Sequence, residues 1–193
     1  MTGGRAGVFL DRDGTINEEI DFLTRPEDLR LIPGAAQAIR ALNLRELPVC
    51  VISNQSGVAR GLLTEDDLGP IHARLRTLLA EEGARLDRID YCPHHPTAGL
   101  PPYAVECECR KPNPGMLLRG ARALGIAPER SFVVGDRIVD VQAGRNAGAG
   151  TVLVLTGYGP RSVEECRAAG VIPDYIAPSL REAVDFILSK LTT

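Results

Sequence analysis

The sequence predicts an α/β fold in which a parallel sheet is wrapped by helices, and two observations carry that prediction. Short apolar runs alternate along the chain with longer segments of helical period, the pattern left by strands joined through crossover helices. The 193 residues are 44% hydrophobic, with glycine and proline spread throughout. That suffices for one sizeable core, so a single domain over residues 1–193 is expected.

The elements follow in order. Strands are expected at 8–11, 49–54, 89–92, 132–136 and 151–156. Ala35, Ala38, Ile39 and Leu42 recur at helix spacing within 35–44, as do Leu68, Ile71, Leu75, Leu78 and Leu79 within 65–82. Thr64 with Asp67 resembles a capping box, and Pro70 in the second turn of that helix is expected to kink it. Asn113 before Pro114 supplies a cap and a first-turn residue for a further helix. Leu180, Val184, Ile187, Leu188 and Leu191 give the last helix its buried stripe. Residues 93–112 form a long loop rich in proline, cysteine and histidine, and a loop of that length needs a tether or a function.

Composition excludes more than it names. A formal charge of −3 and a pI near 5.7 provide no global basic field, so nucleic acid or an anionic membrane would need a local patch. No stretch reaches the roughly 18 apolar residues of a membrane span, and Asp11, Arg12 and Asp13 interrupt any signal-peptide core. The expectation is a cytoplasmic monomer without nucleic-acid or membrane partners. Of the five cysteines, Cys92, Cys107 and Cys109 crowd one segment, which suits a metal site better than a disulfide framework.

In open parallel sheets ligands bind beyond the carboxyl ends of the strands, so the residues just after each strand are the ones to read. They are Asp11, Asp13, Gly14 and Thr15, then Ser53 and Asn54, then Asp136 with Asp140 four residues on; Arg110 and Lys111 precede the helix near Pro114. Asp11, Asp13 and Asp136 converging on one point would cost several kcal/mol without a cation among them. A hard, oxygen-liganded ion such as Mg²⁺ fits. Such a site beside a hydroxyl, a lysine and free backbone N–H groups suits phosphoryl transfer. Asp11 can attack phosphorus while Asp13, with a raised pKa, protonates the leaving oxygen and later activates water. Only two of the 22 basic residues, Lys111 and Lys190, are lysines. A compact ammonium at 111 therefore stands out as a point charge that arginine does not replace.

"CPHHP" and "CEC" place Cys92, His94, Cys107 and Cys109 in one loop. Three thiolates and an imidazole match a closed tetrahedral Zn²⁺ site, with His95 as the alternative imidazole. With every position filled by protein the metal is structural, and it fixes Arg110 and Lys111, which follow Cys109 directly.

Asp11-Arg-Asp13-Gly-Thr15, Ser53-Asn54-Gln55, Arg110-Lys111-Pro112 and Gly135-Asp136 with Asp140 resemble the four motifs of the haloacid dehalogenase superfamily. With the zinc loop added, "DRDGTIN", "SNQSGVARG", "YCPHHP", "CECRKPNPGML" and "GDRIVD" are similar to its heptose bisphosphate phosphatase family over nearly the whole chain. The resemblance implies a three-layer Rossmann-like sheet with helices on both faces and no large cap domain. It implies Asp11 as nucleophile, Asp13 as acid and base, and Ser53 and Lys111 on the phosphoryl group. Mg²⁺ would sit on Asp11, the Asp13 backbone carbonyl and Asp136. Sugar and second-phosphate contacts fall to Glu19, Ile20, Asp21, Phe22, Asn54, Gln55, Ser56, Arg60, Arg110 and Arg137. The implied reaction is hydrolysis of the 7-phosphate of a heptose 1,7-bisphosphate, in the making of heptose precursors for lipopolysaccharide or surface glycan. Family members tend to carry Gly-Tyr where this chain has Asp21-Phe22, and lysine where it has Arg137.

The alternative within the same chemistry is a histidinol-phosphate phosphatase or another small sugar-phosphate phosphatase. A 3′-end nucleic acid phosphatase lacks the interleaved basic and aromatic surface it would favour. A non-enzymatic domain that keeps its aspartyl-phosphate would have no use for Asp13.

Overall fold

The computed structural model describes residues 4–191. Six strands, β1 (Val8–Leu10), β2 (Val49–Asn54), β3 (Arg88–Cys92), β4 (Phe132–Gly135), β5 (Gly150–Val154) and β6 (Tyr175–Ala177), form one parallel sheet in the order β3-β2-β1-β4-β5-β6. The helices are α1 (Ala35–Leu44), α2 (Glu65–Glu81), α3 (Gly115–Leu124), α4 (Ile138–Asn146), α5 (Gly159–Ala168) and α6 (Leu180–Leu191).

Side chains alternate across the sheet with the two-residue period of a strand. Val8 and Leu10 of β1 join Val49 and Val51 of β2 in one core with the apolar stripes of α1, α2 and α6. Phe9, Cys50 and Ile52 point the other way, against Met116, Leu117 and Ala121 of α3. Val141 of α4, Leu153 of β5 and Cys166 of α5 close a smaller cluster. The result is the expected three-layer arrangement.

β1 pairs with β2 on one side and β4 on the other, Val8 facing both Val49 and Phe132. The first three strands build outward in one direction and the last three in the opposite one. The order therefore reverses between β1 and β4, and that is where a doubly wound sheet opens a crevice at its carboxyl ends. Asp11 and Asp136 sit at the crevice.

Thr64 and Asp67 form the capping box that starts α2, and Pro70 lies in the second turn without ending the helix. α3 begins at Gly115 with Pro114 as its cap; Asn113 makes no capping bond and donates instead to the Cys107 carbonyl. The sequence carries little signal for α5, whose buried residues are only Gly159, Ser162 and Cys166. β6 also escapes a pattern search, being a three-residue edge strand with Tyr175 and Ile176 exposed.

Ile39 is fully buried between α1 and the sheet. Ile39→Ala should lower the unfolding free energy by about 2–5 kcal/mol through lost burial and a residual cavity. Urea denaturation measures this, and a midpoint equal to the parent's would contradict it.

Candidate active site

Four elements meet around the ammonium of Lys111. Its Nζ donates to the Ile52 carbonyl at 2.8 Å and pairs with Asp11 Oδ1 at 2.8 Å and Asp140 Oδ1 at 2.6 Å. Burial works against its charge, but Asp11 and Asp140 outweigh burial and hold the ammonium above the ordinary lysine range. Its backbone is fixed as well, because the Asn54 side chain accepts from the Lys111 N–H and donates to the Lys111 carbonyl, each at 3.0 Å.

Carboxylate oxygens of Asp11, Asp136 and Asp140 lie within 4.8 Å of one another, all buried. Asp140 is anchored at the start of α4, where its Oδ2 accepts the Arg137 N–H at 2.9 Å. Asp136 Oδ2 accepts the Tyr158 N–H at 2.7 Å, while its Oδ1 is buried with no hydrogen-bond partner. Burial pushes Asp136 up to about 8, with Asp11 and Asp140 adding to it. Asp11 rises to about 7 by burial, against the pull of Lys111. Three crowded carboxylates, one of them with an orphaned oxygen, are the donor set of a hard divalent cation, so these residues fit Mg²⁺.

The side chain of Asp13 stands outside that acid group. Arg12, fully buried, donates from Nε and Nη2 to its two oxygens at 3.0 and 2.7 Å. Asn17 and Gln55 donate to it at 2.8 and 3.0 Å. Burial alone would raise Asp13, but Arg12 and these amides bring it below the usual carboxylate range. The expected order of the two acids is thus reversed in the protein alone, because Arg12, its own neighbour in sequence, folds inward onto it. Gln55 also donates to Ser53 Oγ at 2.8 Å and so joins the hydroxyl to the same network.

Glycine is required at two points. Gly14 has φ +76°, and a Cβ there would collide with the Asp136 carboxylate; a Cβ on Gly157, at φ +53°, would collide with the same carboxylate and with the Gly14 Cα.

At the end of β3 and in the long loop that follows, ligand atoms of Cys92, His94, Cys107 and Cys109 gather within 4.8 Å. Sulfur separations of 3.0 to 3.4 Å rule out disulfides, whose S–S bond is about 2.05 Å. His95 stays out of this group and braces the loop instead, its Nδ1 accepting the N–H groups of Thr97 and Ala98. The loop reaches the site through Arg110, which donates to the His94 carbonyl at 3.0 Å.

Above the acids opens a cavity of about 650 Å³. Glu19, Asp21, Phe22, Asn54, Gln55, Ser56, Arg60, Arg110 and Arg137 all line it, as the sequence led one to expect, and the amides of Asn54 and Gln55 also bond within the protein. Residue 20 does not line it. Sequence reasoning missed the loop after β5: Thr156 donates to the Gly14 carbonyl and Tyr158 binds Asp136 and the rim. No motif signals these residues; only the C-terminal end of β5 pointed to them.

A family model described as HAD-hydrolase-like matches residues 108–183. The chain is 44% identical over 191 residues to a D-glycero-D-manno-heptose-1,7-bisphosphate 7-phosphatase of Thermosynechococcus vestitus, covering 97% of both chains. It is 37% identical to an Escherichia coli K12 protein of that kind, a D-glycero-beta-D-manno-heptose-1,7-bisphosphate 7-phosphatase, over 95% of this chain and 88% of the other. Among solved structures, a D,D-heptose 1,7-bisphosphate phosphatase from B. bronchiseptica, complexed with magnesium and phosphate, superposes with a TM-score of 0.83 at 34% identity, covering 96% and 99% of the two chains.

A carboxyl raised on folding keeps in the native state a proton that the unfolded chain has lost. Between Asp136's ordinary 3.8 and about 8, that residue therefore destabilises magnesium-free protein as pH rises. The stability gained by Asp136→Asn over the parent in magnesium-free buffer should accordingly grow from pH 5 to pH 8. Thermal melts at both pH values test this; a gain that shrinks with pH would refute it.

Proposed function

The chain belongs to the heptose bisphosphate phosphatase family of haloacid dehalogenase-like hydrolases, and within it we propose hydrolysis of the 7-phosphate of D-glycero-D-manno-heptose 1,7-bisphosphate. It is a phosphoric monoester hydrolase. The observation that carries the reading is the Lys111 ammonium set between Asp11 and Asp140, with Asp136 behind them, at the switch point of the sheet.

In this reading Asp11 is the nucleophile. Its carboxylate attacks the phosphorus, the bond to the sugar oxygen breaks, and that oxygen takes a proton from Asp13 as it leaves. Water then attacks the aspartyl-phosphate, gives its proton to Asp13, and releases phosphate with Asp11 restored. Asp13 lies two residues beyond Asp11 and is aimed by Arg12, Asn17 and Gln55, so one carboxyl serves both half-reactions from a fixed position. An incoming phosphoryl dianion favours protonation of Asp13 by its charge, against the pull of Arg12. Lys111 and the Ser53 hydroxyl bind the phosphoryl oxygens.

Asp11, Asp136 and the Asp13 backbone carbonyl would hold Mg²⁺, with Asp140 behind them. When bound, it neutralises charge building on the phosphoryl oxygens. Cys92, His94, Cys107 and Cys109 would hold a structural Zn²⁺, and the rim residues Glu19, Asp21, Phe22, Ser56, Arg60, Arg110 and Arg137 would face the sugar and its second phosphate.

Asp11→Asn should abolish phosphate release from the bisphosphate with Mg²⁺. Asp13→Asn should slow it by about 10²–10⁴-fold, the usual worth of a positioned acid and base. A parent enzyme that releases no phosphate from this substrate, or prefers histidinol phosphate in kcat/KM, would sink the substrate assignment. In a separate measurement, Cys109→Ser should lose bound zinc in elemental analysis and lower both Tm and kcat. Full metal content and activity in that variant would mean that Cys109 holds no zinc.

A further inference from the structure

We propose that Tyr158 is a positioning residue that sets the enzyme's preference for substrates with a second anionic group. It does so by holding Arg137 and the 19–22 loop in place. Three contacts from one residue carry this. The Tyr158 ring lies under the Arg137 guanidinium, 3.9 Å from the ring centroid to the guanidinium carbon. Its hydroxyl donates to Asp21 Oδ1 at 2.6 Å. Its backbone N–H donates to Asp136 at 2.7 Å, so the same residue is tied to the acid cluster.

Arg137 and Asp21 both need holding. Arg137 follows Asp136 and lines the cavity, but its side chain is about half exposed and long enough to swing into solvent. The Tyr158 face on one side and Glu19 on the other, 3.4 Å from Nη2, fix the plane of its guanidinium. Asp21 has φ +63°, a left-handed conformation that costs little for glycine and more for a residue with a Cβ. Its N–H is accepted by Glu19 at 2.7 Å and its carboxylate accepts the Tyr158 hydroxyl, so its contacts hold it there. Glu19, Asp21, Arg137 and Tyr158 therefore form one linked wall from three separate loops on the side of the cavity facing α5. Phe22 and Arg60 stand next to one another on the same rim, the guanidinium carbon 5.8 Å from the ring centroid.

The inference rests on the bisphosphate reading above, and its test separates the two. The measured quantity is the ratio of kcat/KM for heptose 1,7-bisphosphate to that for p-nitrophenyl phosphate, which has no second anion. Tyr158→Leu should lower the ratio about tenfold, mainly through KM for the bisphosphate, the scale of a lost cation–π contact with its loop tether. Tyr158→Phe, which keeps the ring, should lower it about threefold or less. In an Arg137→Ala background most of the Tyr158→Leu effect should vanish, because the two residues act as one unit. The proposal is overturned if Tyr158→Leu leaves the ratio intact, if it lowers both substrates in parallel, or if its effect persists undiminished without Arg137. Should the parent leave the heptose bisphosphate untouched, the substrate reading falls alone. Tyr158 is then tested by inhibition of p-nitrophenyl phosphate turnover, comparing fructose 1,6-bisphosphate with inorganic phosphate: the proposal expects Tyr158→Leu to weaken the bisphosphate selectively, and equal weakening of both inhibitors, or of neither, overturns it.

Discussion

One buried ammonium organises the active end of this protein. Lys111 has three donors and three acceptors to receive them, contributed by β2, by the residue after β1 and by the first turn of α4. A lysine with almost no solvent contact is costly unless its charge is matched. These three elements and the loop that carries Lys111 therefore settle their mutual positions by completing its shell. The fixing continues outward. Asn54 at the end of β2 clamps the Lys111 backbone from both sides, and Cys109 of the cysteine and histidine cluster lies two residues before it. A loop of some twenty residues between β3 and α3 is thereby tied to the site at two points rather than left to wander.

The same charge count explains the glycines. Asp11, Asp136 and Asp140 bring three carboxylates against one ammonium, leaving an excess of negative charge in a largely buried space at the foot of the cavity. That excess is what raises Asp11 and Asp136, after burial itself, and what a divalent cation would relieve. For the cluster to be this tight, the β1 loop must pass directly over Asp136. Gly14 and Gly157 let two backbones pack side by side against it, and Thr156 ties them together through the Gly14 carbonyl. Asp140 is kept in register by a different force. It lies in the first turn of α4, where its charge meets the positive end of the helix while its oxygen accepts the Arg137 N–H.

Much of this was legible in the sequence because it is local or positional. Strand ends in a parallel sheet are where chemistry gathers, so Asp11, Ser53, Lys111 and Asp136 could be read without knowing any distance. The thiol and imidazole spacing around residues 92–109 likewise speaks for itself. What escaped depends on where side chains turn after folding. Arg12 reads as one more surface arginine in a polar turn, yet it is fully buried and grips Asp13. Asn54 and Gln55 look like ligand-binding amides and line the cavity, but the sequence does not show that they also hold Lys111, Asp13 and Ser53. Asn113 looks like a helix cap and ties down Cys107. Tyr158 has no motif at all, because its partners come from loops some twenty to one hundred and forty residues away.

The two ends of the cavity differ in kind, and the difference bears on selectivity. At the bottom, positive charge is the Lys111 ammonium between Asp11 and Asp140 and the buried Arg12 guanidinium on Asp13. At the rim it is spread over Arg60, Arg110 and Arg137, and Arg110 is held below its ordinary range by burial, with Arg60 and Arg137 adding repulsion. Guanidiniums gathered in this way are poorly compensated by protein alone, since Glu19 serves only Arg137 among them. A ligand with a second anion relieves that repulsion at a distance from the reacting phosphorus, and binding energy gained there can hold the first phosphate against Asp11. Among the described residues, no helical insertion covers the sheet's carboxyl ends. The rim therefore has to supply by charge and fixed loop geometry the discrimination that a closing domain would supply by exclusion, and a rim held rigid is worth more to that end than one free to adapt.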